Sequence, residues 1–384
     1  MLPDHRRLAV ALAGVCAFLD LYAPQALLPM LAREFGAGAA DVSALISATS
    51  LGVAVVAPFT GTVADVLGRK RVIATAMFVL AIPLALIGLA DSLPAMVAWR
   101  FAQGLMLPPI FAVTVAYISE EWSPPESTAV NGIFITACSF GGFLSRFLTG
   151  VLADHFGWRV AFFLLAAATL ACAAGVAALL PRERGFVRAE SLGSSFRQML
   201  RHLRNPRLIA TYAVGFSVLF SFVAIFTYVN FVLAASPFSL STTALGSIFI
   251  VYLLGVAVTP LTGRWVTRLG RRRLAFAVIA CWIAGLMLTL APSLPLIVAG
   301  LAVAAACGFL CQSISTSFVA QTAGEGRSAA VGLYVSCFYL GGSVGGILPG
   351  LVWPLAGWPG AVAMVIAILC VVAVIVGRFW PKTA

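Results

Sequence analysis

Acidic side chains are scarce in this sequence: 13 Asp and Glu stand against 24 Lys and Arg, and all charged residues together make up 10% of the 384. Soluble domains carry about a quarter charged residues, so a water-soluble globular fold is excluded. Histidine is rarer still, three in all. His5, His155 and His202 sit in or beside connections between apolar stretches, which argues against a buried haem or a histidine-ligated metal. The eight cysteines lie inside apolar stretches at no metal-ligand spacing, where cysteine behaves as a small apolar residue. No HExxH, nucleophile elbow or P-loop occurs. An enzyme, a resident metal or cofactor and an ATP-driven pump are therefore not expected. The first apolar run is long and lacks a small-residue cleavage site, so no cleavable signal is expected.

Apolar residues make up 61% of the chain. A bilayer accepts such a composition, at roughly 20 apolar residues per spanning helix. Twelve runs qualify, near 8–29, 41–64, 72–90, 94–116, 128–152, 160–180, 208–233, 243–263, 274–291, 295–318, 328–350 and 359–377. The expected fold is an all-α membrane protein of twelve transmembrane helices. The net charge of +11 does not indicate nucleic-acid binding, because its distribution has another explanation. Arg6, Arg7, Arg69, Lys70, Arg71, the arginines from Arg182 to Arg207, Arg264, Arg268 and Arg271 to Arg273 fall on alternate connections. The intervening connections carry only Arg33 and Arg159. This positive-inside pattern places both termini and the 181–207 linker in the cytoplasm. The linker sets Phe196, Met199, Leu200 and Leu203 against Arg197, Arg201 and Arg204, a pattern suited to lying on the membrane surface.

The chain repeats itself once. Pro58, Thr60, Gly61, Gly68, Arg69 and Arg71 return about 200 residues later, at the same spacing, as Pro260, Thr262, Gly263, Gly270, Arg271 and Arg273. Gly141, Gly142, Gly150, Gly157 and Trp158 return as Gly341, Gly342, Gly350, Gly357 and Trp358. Two similar six-helix bundles, 1–180 and 208–384, joined by 181–207, can rock about a central site, which is the physics of a secondary transporter.

The segment Gly61-Thr-Val-Ala-Asp65-Val-Leu-Gly68-Arg69-Lys70-Arg71 joins the second run to the third. Gly61 would allow close approach of another helix, Gly68 a tight reversal, and Asp65 a bond to a cation or a helix N-terminus. A positive-inside loop explains the cations, but not this pattern with a matched copy. Here the chain resembles the major facilitator superfamily, whose signature loop has this form, and the resemblance covers the whole length. It implies a gating role for Gly61, Asp65, Gly68, Arg69, Lys70 and Arg71, and for Gly263, Gly270 and Arg271 in the copy. Thr267 replaces the acid of Asp65 there, so a charge latch is expected in the first half only.

Asp20, Arg100 and Arg146 lie deep within runs, where a lone charge costs about 2.5–3.5 kcal/mol or more. Asp20 is roughly 18 Å from one edge of the membrane and Arg100 roughly 9 Å from the other. In a core about 30 Å thick these depths agree, so pairing is expected. Arg146 replaces a glycine on a stripe of small residues: Gly142-x3-Arg146-x3-Gly150 matches Gly342-x3-Gly346-x3-Gly350. It is expected to face the cavity and to neutralise Asp20 or meet an anionic group on the substrate. Arg100-x-x-Gln103-Gly104 is similar to the fourth-span motif of family members that couple transport to protons, and Asp20-Leu-Tyr22-Ala-Pro24 to the first span of bacterial drug/proton antiporters. The Gly-Gly-x3-Arg stretch is similar to arabinose-efflux-type inner-membrane permeases. Buried ionisable groups in spans are functional by default, so Asp20 is expected to take up and release a proton, with Arg100 and Arg146 acting on its charge balance; a structural ion pair that fixes helix packing is the alternative.

Candidate cavity residues are Tyr22, Gln25, Gln103, Asn131, Tyr228, Asn230, Gln312, Tyr334 and Tyr339, each of which could instead bond between helices. Trp99, Trp158, Trp353 and Trp358 are expected as interface anchors, and Glu120 and Glu121 as solvated groups. The reading is proton-coupled export of small, largely apolar or amphipathic compounds by a monomer of the bacterial inner membrane. Its partners are protons, substrate and the bilayer. The alternative is proton-coupled uptake or exchange of a small carboxylate or phosphate.

Overall fold

The computed structural model describes residues 5–183, 201–324 and 327–381. Among them every regular element is helical. In lipid a backbone must satisfy its own hydrogen bonds, and a long apolar helix does so within one segment. Ten helices are long and apolar enough to span a bilayer. The last, Arg327–Phe379, is two spans that meet at Gly357 (φ 53°). Arg271–Leu288 completes the set of twelve.

In chain order the spans are His5–Leu21 continued by Leu28–Glu34, then Ala39–Leu67, Arg69–Leu89, Leu93–Glu121, Pro124–Phe156 and Trp158–Leu179. The second group begins with Pro206–Ala234, capped by the Asn205 side chain on Arg207 N. The eighth span runs from Thr242 to Leu269 with two 3₁₀ interruptions, at Phe249–Val251 and Thr259–Leu261. Arg271–Leu288, Leu294–Thr322 and the two parts of Arg327–Phe379 follow. The second and third spans join at Gly68 (φ 92°) and the eighth and ninth at Gly270 (φ 79°). A left-handed residue lets a helix end and the next begin without a linker, and glycine adopts it without penalty.

Spans within each half pack on one another, and the halves meet along two seams that are copies of each other. One is between the second and eleventh spans, the other between the fifth and eighth. Glycines set their closeness. A Cβ at Gly350 would strike Ala40, and one at Gly150 would strike the Thr242 carbonyl. Within each half, Gly141 lies on Val15 of the first span as Gly341 lies on Phe216 of the seventh.

Because each half has an even number of spans, the first and seventh spans begin, and the sixth and twelfth end, at one face, the terminal face. Hydrogen bonds join the halves near the opposite, far face. Gln25 Nε2 donates to Thr227 Oγ1 at 2.9 Å, and Thr242 Oγ1 to the Gly150 carbonyl at 3.2 Å. Asp154, at the far end of the fifth span, caps the start of the eighth. It accepts from Thr243 N at 2.8 Å and Thr243 Oγ1 at 2.6 Å, and also from Thr242 Oγ1.

The structure corrects several expectations. Gly61 makes no close helix approach: nothing lies within 4 Å of a Cβ placed there, or at Gly263. Trp158 and Trp358 are buried rather than interfacial. Trp358 Nε1 donates to the Thr289 carbonyl at 2.9 Å, tying the twelfth span to the ninth. The linker residues Phe196, Arg197, Met199 and Leu200 lie outside the described residues.

Candidate functional site

Pro24 breaks the first span. Proline has no N–H, so the Asp20 carbonyl loses the helical donor four residues on. The amide of Gln25 turns to the Tyr22 carbonyl at 3.0 Å, which frees the Leu21 carbonyl as well. Arg100 of the fourth span fills this gap. Its Nη1 donates to the Asp20 carbonyl at 2.9 Å and its Nη2 to the Leu21 carbonyl. Its Nε donates to the Leu45 carbonyl at 3.1 Å, and Nη1 also to Gln103 Oε1 at 2.7 Å. A guanidinium at a helix C-terminus also meets the negative end of the helix dipole. Asp20 and Arg100 thus come together, but Arg100 makes no ion pair with the Asp20 carboxyl group. The pairing expected from depth is replaced by capping of the broken span, because orphaned carbonyls in oil demand donors first.

The Asp20 carboxyl is fully buried. Thr169 of the sixth span donates to its Oδ2 at 2.9 Å, and the Cys16 thiol stands 3.9 Å from the same oxygen. Oδ1 has no hydrogen-bond partner among the described residues. Thr169 escaped the sequence reading, since one hydroxyl in an apolar span has no distinguishing pattern.

Arg146 is separate from Asp20. It is 2% exposed, and its Nε donates to Gln25 Oε1 at 2.7 Å while Nη1 donates to the Gly142 carbonyl. The guanidinium lies 4.5 Å from the ring centre of Tyr22, 4.6 Å from Phe249 and 5.0 Å from Tyr252. Among the described residues no acid pairs with it, so the expectation that Arg146 neutralises Asp20 is not met. Its place on the small-residue stripe follows from an exchange. At the matching seam Gly346 makes room for Ser47; here Gly246 of the eighth span makes room for the Arg146 backbone. The arginine side chain is then free to turn among the rings. Phe249 and Tyr252 were invisible in a sequence with 27 phenylalanines, where an aromatic residue most often faces lipid or core.

The remaining candidates divide. Tyr22, Gln25 and Gln103 belong to this centre, Gln103 with an unpartnered Nε2. Tyr339 reaches across the halves to stack on Phe111, ring centres 6.0 Å apart. Tyr228 donates to the Gly346 carbonyl at 2.8 Å, joining the seventh span to the eleventh, and Asn230 back-bonds to the Phe226 carbonyl of its own span at 2.6 Å. Tyr334 shares a 2.7 Å hydrogen bond with Ser315. Gln312 is partly buried. Asn131 lies about 22 Å along the fifth span from Arg146, so the structure does not bring it to the centre.

At the terminal face, Arg69 pairs with Asp65 and with Glu120, the latter by Nη2 to Oε1 at 2.8 Å and Nε to Oε2 at 3.2 Å. Glu183 accepts from the amides of Arg69 at 3.0 Å and Lys70 at 3.3 Å, capping the third span. Arg71 is exposed. The copy retains the geometry without the acids: Arg271 Nη2 donates to Gln321 Oε1 at 2.7 Å. Glu120 is therefore part of this network rather than a free solvated group. Its match to Gln321 was present in the repeat and went unread.

The site thus sets a buried carboxyl inside the first half and a buried guanidinium at the seam between two pseudo-symmetric membrane-spanning bundles. The Major Facilitator Superfamily model matches residues 10–236 and 227–384, and the chain belongs to that family. It is 34% identical to the inner membrane transport protein YnfM of Escherichia coli K12, covering 98% of this chain and 90% of that protein. It is 29% identical to the uncharacterized MFS-type transporter YybF of Bacillus subtilis 168, over 96% and 92% of the two chains. The solved nucleoside transporter NupG (D323A mutant) superposes with a TM-score of 0.80 at 16% identity, over 98% of this chain and 100% of that one. At that identity the likeness shows the fold alone.

Proposed function

We propose that the protein exports small, largely apolar or amphipathic compounds in exchange for protons, by alternating access between halves 1–180 and 208–384, as a monomer of the bacterial inner membrane. The observation that carries this reading is Asp20. Its carboxyl is buried at a break in the first span, held by Thr169 through one oxygen, with the other free. An intramembrane acid placed so is functional by default. Its protonation depends on the donors and water that reach it, and rocking the halves changes both. Protonation then favours one access state and substrate the other.

The alternating charge of the connections supports placing the terminal face in the cytoplasm. The bonds at Asp154 and Gln25 then hold the outer side closed, and Asp65 contacts Arg69 of its own half instead of latching onto the second. Export is supported by the first-span resemblance to drug/proton antiporters. Partial similarity also extends to the multidrug resistance protein Stp of Mycobacterium tuberculosis H37Rv, 28% identical over 158 residues, covering 41% of this chain and 29% of that protein.

The test uses the full-length protein in proteoliposomes with an interior pH dye and a panel of lipophilic cations, organic acids and neutral aromatics. Wild-type protein is expected to move protons when a transported compound is added, and Asp20→Asn to lose at least tenfold of that flux while retaining substrate exchange without a proton gradient. Unchanged proton flux in Asp20→Asn removes Asp20 from the coupling role.

A further inference from the structure

Arg146 presents a feature that proton coupling does not use. It is a withdrawn cation with no acidic partner among the described residues, at mid-seam, touching side chains of both halves. Uncompensated charge in a membrane interior is costly. Helix packing does not require it, because the second half solves the same close approach with Gly346. The protein acceptors are also too few. A guanidinium has five N–H groups; Gln25 and the Gly142 carbonyl engage Nε and Nη1, and Nη2 has no acceptor among the described residues. Tyr22 on one side and Phe249 and Tyr252 on the other surround the charge with flat apolar surface.

We infer that Arg146 is the anchor of a substrate site for organic monoanions, in which the carboxylate of an aromatic or similarly flat apolar acid binds the guanidinium and its body lies among these rings. This deepens the transport reading above and rests on it for access to the site. A carboxylate supplies the missing countercharge and accepts from the free Nη2 and the remaining Nη1 hydrogen, which point in one plane as a fork. The rings suit the apolar body by edge-to-face or offset contact. Gln25 links the site to the other half: it bonds Arg146 through Oε1 and Thr227 through Nε2. An anion that draws Arg146 towards itself competes with this bridge, so binding and release of the far-face closure become one event.

The experiment is calorimetric titration of purified full-length protein with benzoate, its neutral isostere benzamide, benzyltrimethylammonium and inorganic phosphate. Benzoate is expected to bind at least tenfold more tightly than the other three. Arg146→Gln is expected to weaken benzoate at least tenfold, and Arg146→Lys by less, because it keeps the charge and loses the fork. The wild-type comparison stands even if the variants do not fold. Benzamide or phosphate binding as tightly as benzoate, or no benzoate binding at all, overturns the inference. Proton flux separates the two readings. If benzoate fails while a cationic compound still drives Asp20-dependent flux, the anion site alone is lost. If benzoate binds through Arg146 but no compound moves protons, the coupling proposal fails instead.

Discussion

Arg100 donates to the backbone carbonyl of Asp20 at 2.9 Å and leaves the carboxyl of the same residue to Thr169. The cation that depth alone assigned as the acid's partner serves the backbone that Pro24 disrupted. Asp20 is left with a single strong donor and one free oxygen. A carboxyl locked in a bidentate arginine pair would resist proton exchange; this one is held through Oδ2 alone.

Arg100→Gln strands the Asp20 and Leu21 carbonyls in an apolar interior. A buried unsatisfied group costs about 1–3 kcal/mol, so a loss of about 3 kcal/mol is expected, read as a lower melting temperature in detergent. Pro24→Ala restores an amide able to reach the Asp20 carbonyl. The double variant is expected to recover part of the loss, and strict additivity in the double-mutant cycle would contradict the capping role.

Thr169→Val removes the one hydroxyl donor to Asp20 with little change in volume. Transport is expected to persist with a displaced pH profile, and Thr169→Ser to restore the profile. A reduced rate with an unmoved profile would show that Thr169 only packs.

Asp154→Ala deprives the eighth span of a cap supplied by the opposite half. Loss of an N-cap costs about 1 kcal/mol, here only in the state closed at the far face. Spin labels on the far ends of the fifth and eighth spans are expected to show about a fivefold larger separated population. An unchanged distance distribution would contradict the latch.

Glu120→Gln converts the Arg69 pair into the neutral arrangement of Arg271 and Gln321. With Glu120 45% exposed, the cost is expected to stay below about 1 kcal/mol. Arg69→Ala, which also frees Asp65, is expected to cost more in both melting temperature and transport rate. Equal effects would place the weight of the network on Glu120.

Much of this was legible before the structure. Spans, family and the repeated turns at Gly68 and Gly270 follow from hydropathy and the repeat, because a bilayer imposes long apolar helices and two-fold symmetry copies its turns. Asp20, Arg100 and Arg146 stood out because charge in such segments must be explained. Their partners were not legible. Depth places two side chains at one level but does not say whether a guanidinium meets a carboxyl or a carbonyl, and the carbonyls were freed by Pro24, four residues from Asp20. Thr169, Phe249 and Tyr252 come from distant segments without a distinguishing pattern. The exchange of Gly346 for Arg146 was visible, but its compensation by Gly246 depends on which helices touch.

The central claim is that Asp20 changes protonation within the working range of the protein. Infrared difference spectroscopy of full-length protein in lipid, across a pH titration, reads this without knowledge of the substrate. A protonated carboxylic acid band that titrates in wild-type protein and is absent from Asp20→Asn is the predicted result. A band that persists in Asp20→Asn, or no titrating carboxyl in either protein, would contradict it.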